Sequence, residues 1–185
     1  MKMAMWHYGW VFLMVACSPF SVEKAATQNY FDLKNFVSHH VRQLTEENPT
    51  VFKKISFSDK QETTRQKISD WEKELALFLD ADLNKPVLKG MYSMQISAEN
   101  DTIITTYVAN AFTDGVEKMQ IWQKSQEIIR IVVVTKKYNY LYENQKKLEL
   151  LLDSGRLKEY IIDNRQKVRG SDTDYYRVAG YIEKR

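Results

Sequence analysis

The sequence predicts an α+β domain in which two N-terminal helices pack on a mostly antiparallel sheet of six or seven strands. Apolar residues recur at three- and four-residue steps as far as about Asn84, and from Pro86 onward the period is two. Turns rich in Gly, Asn and Asp separate the short apolar runs of the second part, which is typical of an antiparallel meander. Helices followed by sequential strands indicate the α+β class. The pattern leaves open whether the sheet is flat or is curved around an apolar pocket.

The first helix is predicted from Thr27 to Glu46, and it should end at Asn48-Pro49 because proline disfavours helix in the residue before it. The alternating segment Thr50 to Phe57 is predicted to be a short strand. The apolar stripe of the helix comprises Tyr30, Leu33, Val37, Val41 and Leu44.

A second helix is predicted to begin at Ser58, since Ser58 and Gln61 match a capping box, and to end near Asn84. Its densest apolar patch surrounds Trp71, and we expect this patch to anchor the helix on the sheet. The apolar face of this helix comprises Ile68, Trp71, Leu75, Phe78 and Leu79.

The strands of the second part follow from period-two alternation between turns. The segment from Tyr138 is predicted to be one long strand to Leu152, although Gln145 to Leu152 could equally be helical. The other predicted strands are Leu88 to the turn at Glu99-Asn-Asp101, Thr102 to Ala109, Val116 to Lys124, Glu127 to Lys136, Leu157 to Val168 and Tyr175 to Ile182.

Cys17 is the only cysteine of the chain, and it directly follows an apolar run of roughly 14 residues with Lys2 in front. A basic start and an apolar stretch that ends in small residues are typical of a secretory signal. The four residues Met14-Val15-Ala16-Cys17 resemble a bacterial lipobox, in which the cysteine is lipidated before cleavage ahead of it. We therefore expect residues 1–16 to be a lipoprotein signal peptide, residues 17–28 a lipidated tether and residues 29–185 a single α+β domain.

Two alternatives exist for this N-terminal segment. A plain cleaved signal would leave Cys17 as an unpaired thiol in an oxidising compartment. A retained spanning helix would need about 20 apolar residues, and this stretch is shorter and contains His7. Ser18, rather than an aspartate, follows the cysteine. By resemblance to enteric sorting signals, this favours the cell outer membrane, with the domain facing the periplasm.

The composition argues against nucleic acid as a partner. The formal charge falls from +3 to +2 when the signal is removed, because Lys2 is its only charged residue. A nucleic-acid-binding domain would need a clustered basic face. With 44% hydrophobic residues, three prolines and six glycines, the chain can build a core and does not have a disordered composition.

The sequence contains no recognisable catalytic or metal-binding constellation and no cofactor-binding motif. His39 and His40 are adjacent, so on a helix they would not converge on one metal ion. The carboxylates of the second helix alternate with lysines, which is typical of a solvated helix face, and those of the last loop fit turn chemistry. These carboxylates are Glu72, Glu74, Asp80 and Asp82 on the helix, and Asp172 and Asp174 in the loop.

The series Tyr138-Asn-Tyr140-Leu-Tyr142 is the candidate ligand-binding feature. If the segment is a strand, the three tyrosines share one face and could form a strip for sugar or lipid, because each ring has a polar tip. The simpler interpretation is a strand with aromatic residues that favour β-structure. A curved sheet would instead make Tyr140, Ile131 and Val133 candidates to line an apolar cavity.

As a whole the chain resembles small uncharacterised lipoproteins of Bacteroidota, on the strength of its lipobox, its layout, the motif from Trp71 to Leu75, and Asp82 and Asn84. The resemblance implies a location and an architecture but no catalytic residue. The leading expectation is a non-enzymatic binding or assembly module, held on the membrane by Cys17, with an envelope protein as partner. The alternatives are a carrier of lipid or another apolar ligand and, less favoured, a hydrolase.

Overall fold

The computed structural model of the chain describes residues 30–58, 60–111 and 114–183. In this part of the chain one long helix, two short helices and a 3₁₀ turn (Pro86–Leu88) accompany nine strands. The elements in chain order are α1 (Leu33–Glu47), β1 (Thr50–Phe57), β2 (Lys60–Lys67), α2 (Trp71–Glu74), α3 (Ala76–Asp80), β3 (Tyr92–Glu99), β4 (Thr102–Ala109), β5 (Gly115–Lys124), β6 (Glu127–Tyr138), β7 (Tyr142–Asp153), β8 (Arg156–Val168) and β9 (Thr173–Ile182).

All nine strands belong to one antiparallel sheet in the order β2-β1-β9-β8-β7-β6-β5-β4-β3. Strands β3 to β9 form a meander, and the N-terminal hairpin β1–β2 continues the sheet beyond β9. The predicted antiparallel meander is confirmed. The predicted number of six or seven strands is wrong.

Residues 60–67 form strand β2, so the prediction that they are the first half of a second helix is wrong. Ser58 has a φ of 49° and lies in the turn of the β1–β2 hairpin, so it does not cap a helix. The sequence of β2, Lys-Gln-Glu-Thr-Thr-Arg-Gln-Lys, has no apolar stripe that a helix could bury. As an edge strand it is almost fully exposed, and its charges discourage pairing with another chain.

Helix α1 confirms the predicted first helix and its end, but it begins at Leu33, so the predicted start at Thr27 is wrong for the described residues 30–32. Asp32 caps it, because its side chain accepts a hydrogen bond from the backbone N–H of Asn35 at 2.8 Å. Asn48 ends it in the left-handed conformation with φ 43°, next to the predicted Asn-Pro stop. Residues 27–29, which the sequence predicted to be helical, lie outside the described residues.

The predicted second helix is reduced to α2 and α3, which Leu75 separates with φ −100° and ψ 13°. Asp70 caps α2 by accepting a hydrogen bond from the N–H of Lys73 at 2.9 Å. Trp71, Leu75 and Phe78 are no more than 2% exposed, which confirms the predicted apolar anchor.

The core lies between the helices and one face of the sheet. The sheet side includes Ile55, Val178, Ile162, Leu148 and Val133, which are cross-strand neighbours in one row. The helix side comprises Leu33, Val37, Leu44, Trp71, Leu75 and Phe78.

The predicted single strand from Tyr138 to Leu152 is also wrong, because it is interrupted by the β6–β7 hairpin turn. The Asn139 side chain accepts hydrogen bonds from the N–H groups of Leu141 and Tyr142 at 2.8 and 3.0 Å, which stabilises this turn. The helical alternative for residues 145–152 is excluded too, since these residues lie in β7.

Candidate functional site

The face of the sheet opposite the helices, here called the open face, carries a row of buried residues. Val132, Glu149, Ile161 and Ala179 are direct cross-strand neighbours in β6, β7, β8 and β9. Each is between 2% and 7% exposed, although none belongs to the core beneath the helices. Their neighbours on the open face must therefore shield them from solvent.

A groove of about 510 Å³ lies beside this row and crosses β6, β7, β8, β9 and the end of β1. Val134 is the apolar residue from β6, and Tyr175 of β9 contributes an aromatic ring. We call this space the open-face groove. Its lining consists of Ser56, Ser58, Val134, Gln145, Lys147, Asp163, Asn164, Arg165, Tyr175, Tyr176 and Arg177.

Paired charges form much of the open-face groove. Arg177 donates two hydrogen bonds from one nitrogen to the two carboxylate oxygens of Asp163, at 2.7 and 2.9 Å. The guanidinium of Arg165 lies 5.9 Å from the centre of the Tyr175 ring, within the range of a cation–π contact. Lys147 forms an ion pair of 3.1 Å with Glu149.

Glu149 joins the groove to a second cation. Its Oε1 accepts a hydrogen bond from Arg130 at 2.7 Å, and its Oε2 pairs with Lys147. Arg130 in turn lies 4.9 Å from the centre of the Trp122 ring. This line of polar and aromatic side chains can offer hydrogen bonds and ring contacts to a partner that lies across the strands.

The sequence did not predict the open-face groove. The available signal was the alternation Asp163, Arg165, Lys167 along β8, which marks one strand face as charged. Recognising a site also required the register that brings Arg177 of β9 opposite Asp163, and a single sequence does not specify that pairing.

The three predicted tyrosines lie at the β6–β7 hairpin rather than on one strand face. Tyr138 ends β6, Tyr140 lies in the turn and Tyr142 begins β7, with 60%, 76% and 36% of their surfaces exposed. Arg169 from the β8–β9 turn lies 4.6 Å from the centre of the Tyr140 ring. The three residues predicted to line an apolar cavity do not lie together. Ile131 and Val133 are fully buried in the core, whereas Tyr140 is exposed in the hairpin turn.

Among the predicted carboxylates, Glu74 is an exception to the expected solvated face. It lies between helix and sheet, where its Oε1 pairs with Lys53 at 2.6 Å and accepts a hydrogen bond from the Tyr160 hydroxyl at 2.5 Å. Burial and this hydrogen bond raise the pKa of Tyr160 well above its usual range. The phenol therefore stays a donor, and the three residues tie α2 to β1 and β8.

The remaining acidic residues have ordinary structural or surface positions. Glu72, Asp80 and Asp82 border a surface depression of about 670 Å³ beside the short helices. The Asn84 side chain donates to the carbonyl oxygens of Tyr30 and Phe31 at 3.2 and 3.1 Å, and to Asp82 at 3.3 Å. Asp172 and Asp174 lie at the β8–β9 turn and the start of β9, where both are exposed.

On α1, His39 is exposed and His40 is buried, and their rings lie edge-on with centres 5.5 Å apart. His40 is only 3% exposed, and its ring packs edge-on against Phe36 at 4.7 Å between ring centres. Burial, and secondly the neighbouring His39, lower the pKa of His40. Among residues 30–58, 60–111 and 114–183, no three His, Cys, Asp or Glu side chains cluster closely enough to hold a metal ion.

Cys17 and the lipobox lie outside the described residues. In the part of the chain that the structure describes, no helix has the length and apolar character needed to cross a bilayer. Comparison of the chain with protein-family models, curated proteins and solved structures found no match.

Proposed function

We propose that the protein is a lipid-anchored module of the cell envelope that binds a polar partner in its open-face groove and performs no chemical reaction on it. Cys17 carries the anchor, and the domain faces the periplasm from the outer membrane. The observation that carries the binding role is the groove itself, a space of about 510 Å³ on a sheet face that no described helix covers.

The chemistry of the groove favours a polar partner over an apolar one. Arg165, Arg177, Lys147 and Asp163 supply charges, while Tyr175 offers a ring that can pack against a partner. An envelope protein surface provides the matching carboxylates, amides and aromatic edges. Interfaces of this kind are enriched in tyrosine and arginine.

The same contacts support binding rather than catalysis. Asp163, the carboxylate of the groove, is held by both of its oxygens against Arg177, and the neighbouring Glu149 is paired with Arg130 and Lys147. Every oxygen of these two carboxylates therefore already has a cationic partner, whereas a general base needs a carboxylate oxygen within hydrogen-bond reach of the proton that it abstracts.

The proposal is tested with a photo-crosslinking amino acid placed in the groove and expressed in the cell envelope. We expect the probe at Tyr175 to give an adduct of discrete mass. The same probe at Val87, which is 78% exposed beside the short helices, serves as the matched control and should give none. Equal labelling from both positions, or no adduct at Tyr175, would contradict binding in the groove.

A second measurement separates this function from a carrier of lipid or another apolar ligand. Native mass spectra of the purified chain should show the protein without a stoichiometric small-molecule adduct other than its own acyl chains. An additional adduct that extracts into organic solvent would favour the carrier instead and would identify its cargo.

A further inference from the structure

We propose that one end of the sheet rests on the surface of the bilayer that holds the lipidated Cys17, so that the open-face groove lies close to the membrane. This end, here called the aromatic rim, consists of Phe57, Tyr138, Tyr140, Leu141, Tyr142, Val168, Tyr175 and Tyr176. The inference rests on the proposed lipid anchor and adds to it the orientation of the domain.

Exposed aromatic and aliphatic side chains are concentrated at the aromatic rim. Eight of the fourteen exposed large hydrophobic residues among those described belong to it. Tyr140 and Leu141, in the β6–β7 turn, are 76% and 63% exposed. A cluster of this kind on a monomer marks an interaction surface, whereas single exposed residues elsewhere need no explanation.

Hydrogen bonds connect the rim into one surface. The N–H of Arg169 in the β8–β9 turn donates to the carbonyl of Leu141 at 2.9 Å, and the N–H of Ser58 donates to the carbonyl of Tyr175 at 3.2 Å. Arg169 also covers the Tyr140 ring. The turns β1–β2, β6–β7 and β8–β9 therefore present their exposed side chains together.

The chemistry of the rim suits the headgroup region of a phospholipid bilayer. Tyrosine rings with polar tips are enriched at membrane interfaces, and long basic side chains extend towards the phosphates. Arg165, Lys167 and Arg169 supply that charge. The exposed acids Glu143, Asp172 and Asp174 lie among them, which suits contact with a headgroup layer and not insertion into hydrocarbon.

The first described residue, which is thirteen positions after Cys17 in the sequence, lies at the same end of the sheet. Tyr30, the first described residue, donates from its hydroxyl to the Leu88 carbonyl and accepts from the N–H of Tyr92 at 3.1 Å. The Tyr92 hydroxyl donates to the carbonyl of Val116, at the start of β5, at 2.7 Å. Next to it, the Asp114 side chain accepts from the N–H of Tyr138 in the rim at 3.0 Å.

The length of the tether limits the orientation further. Thirteen residue steps from Cys17 to Tyr30 reach no more than about 45 Å when fully extended. Strand β8 alone, with 13 residues, is about 40 Å long. If the opposite end of the sheet faced the bilayer, the tether would have to run almost fully extended along the whole sheet. Contact through the rim needs no such extension.

The proposed contact of the rim with the bilayer also determines where the open-face groove lies relative to the membrane. Tyr175 and Tyr176 belong to both the rim and the open-face groove, and Ser58 lines the groove beside them. A partner in the groove would therefore lie next to the bilayer, as expected for another protein of the same membrane.

The orientation is tested by tryptophan fluorescence. The full-length gene is expressed in its host, and the processed protein is extracted and reconstituted in vesicles that contain brominated phospholipid. Tyr140→Trp introduces an indole in the rim. The matched control is Lys158→Trp, at an exposed position near the β7–β8 turn at the other end of the sheet. Both are compared with the unchanged protein, in which Trp71 is buried and Trp122 is half-buried.

We expect the emission added by Tyr140→Trp to be lost to the brominated lipid, while that added by Lys158→Trp is quenched only by aqueous iodide. Equal quenching of both variants by iodide would overturn the inference. So would shielding of the Tyr140→Trp indole from both quenchers, because a second protein copy would then cover the rim. The acyl mass on Cys17, measured on the same preparation, shows separately whether the anchor proposal holds.

Discussion

Tyr160 of β8 lies across Gly180 of β9, its direct cross-strand neighbour, and is fully buried between the sheet and Trp71. A β-carbon at position 180 would overlap the Tyr160 ring. Tyr160 cannot easily move aside, because its hydroxyl is bonded to Glu74. Gly180 is therefore required by close approach of a side chain rather than by its own backbone conformation.

Gly180→Ala should lower the free energy of unfolding by about 1–3 kcal/mol, because the added methyl group overpacks the core. Urea unfolding measures the change. The control is the same substitution in a Tyr160→Ala background, where the penalty for Gly180→Ala should largely disappear. An equal penalty in both backgrounds would contradict the contact.

His40 makes the stability of the fold dependent on pH. Its pKa in the folded protein is lowered from the usual value of 6.5, mainly by burial and secondly by His39, while Gln43 acts in the opposite direction. Below pH 6.5 the unfolded chain therefore binds a proton that the folded chain binds only at lower pH. This contribution to stability is complete above pH 6.5 and is lost as the pH falls, by at most about 1.4 kcal/mol per pH unit.

We expect His40→Gln to flatten the decline in unfolding free energy between about pH 7 and pH 5, as measured by urea titration at several pH values. His39→Gln is the matched control. His39 is exposed, and its charge has a smaller effect on the pKa of His40 than burial has, so most of the decline should remain. If the two variants flatten the curve equally, burial of His40 is not its cause.

Asn139 stabilises the β6–β7 hairpin turn, because its side chain accepts hydrogen bonds from the N–H groups of Leu141 and Tyr142. Asn139→Ala should cost about 1 kcal/mol of stability, since both donors lose their acceptor. Asn139→Asp keeps an acceptor oxygen and should cost less. Denaturant unfolding compares the two, and an equal loss for both would show that the side-chain oxygen is not responsible.

Elements with a strong apolar period could be predicted from the sequence, and elements without one could not. Helix α1 and strand β1 follow directly from their patterns and from the Asn48-Pro49 stop. Strand β2 was missed because its stability comes from hydrogen bonds to β1 and not from an apolar face. The break at Asn139 was missed because aromatic residues on both sides favour β-structure without showing where a strand ends.

The candidate site is harder to predict from the sequence than the fold. A groove between Arg177, Asp163 and Tyr175 exists only once β8 and β9 pair in this register. The tyrosines of residues 138–142 were recognised as a notable feature, but their position at a turn depends on the hairpin. The sequence shows which residues have side chains suited to binding a ligand. Which of these side chains lie next to one another depends on how the strands pair.

The proposed anchor at Cys17 is the premise on which both the position of the groove relative to the membrane and the orientation of the aromatic rim depend. The most direct measurement is the intact mass of the chain extracted from the membranes of its host, beside that of Cys17→Ser. We expect a chain that begins at Cys17 and carries the mass of acyl groups. The Cys17→Ser chain should lack this mass and should leave the membrane fraction. An unmodified Cys17, or a Cys17→Ser chain with the same added mass, would contradict this expectation.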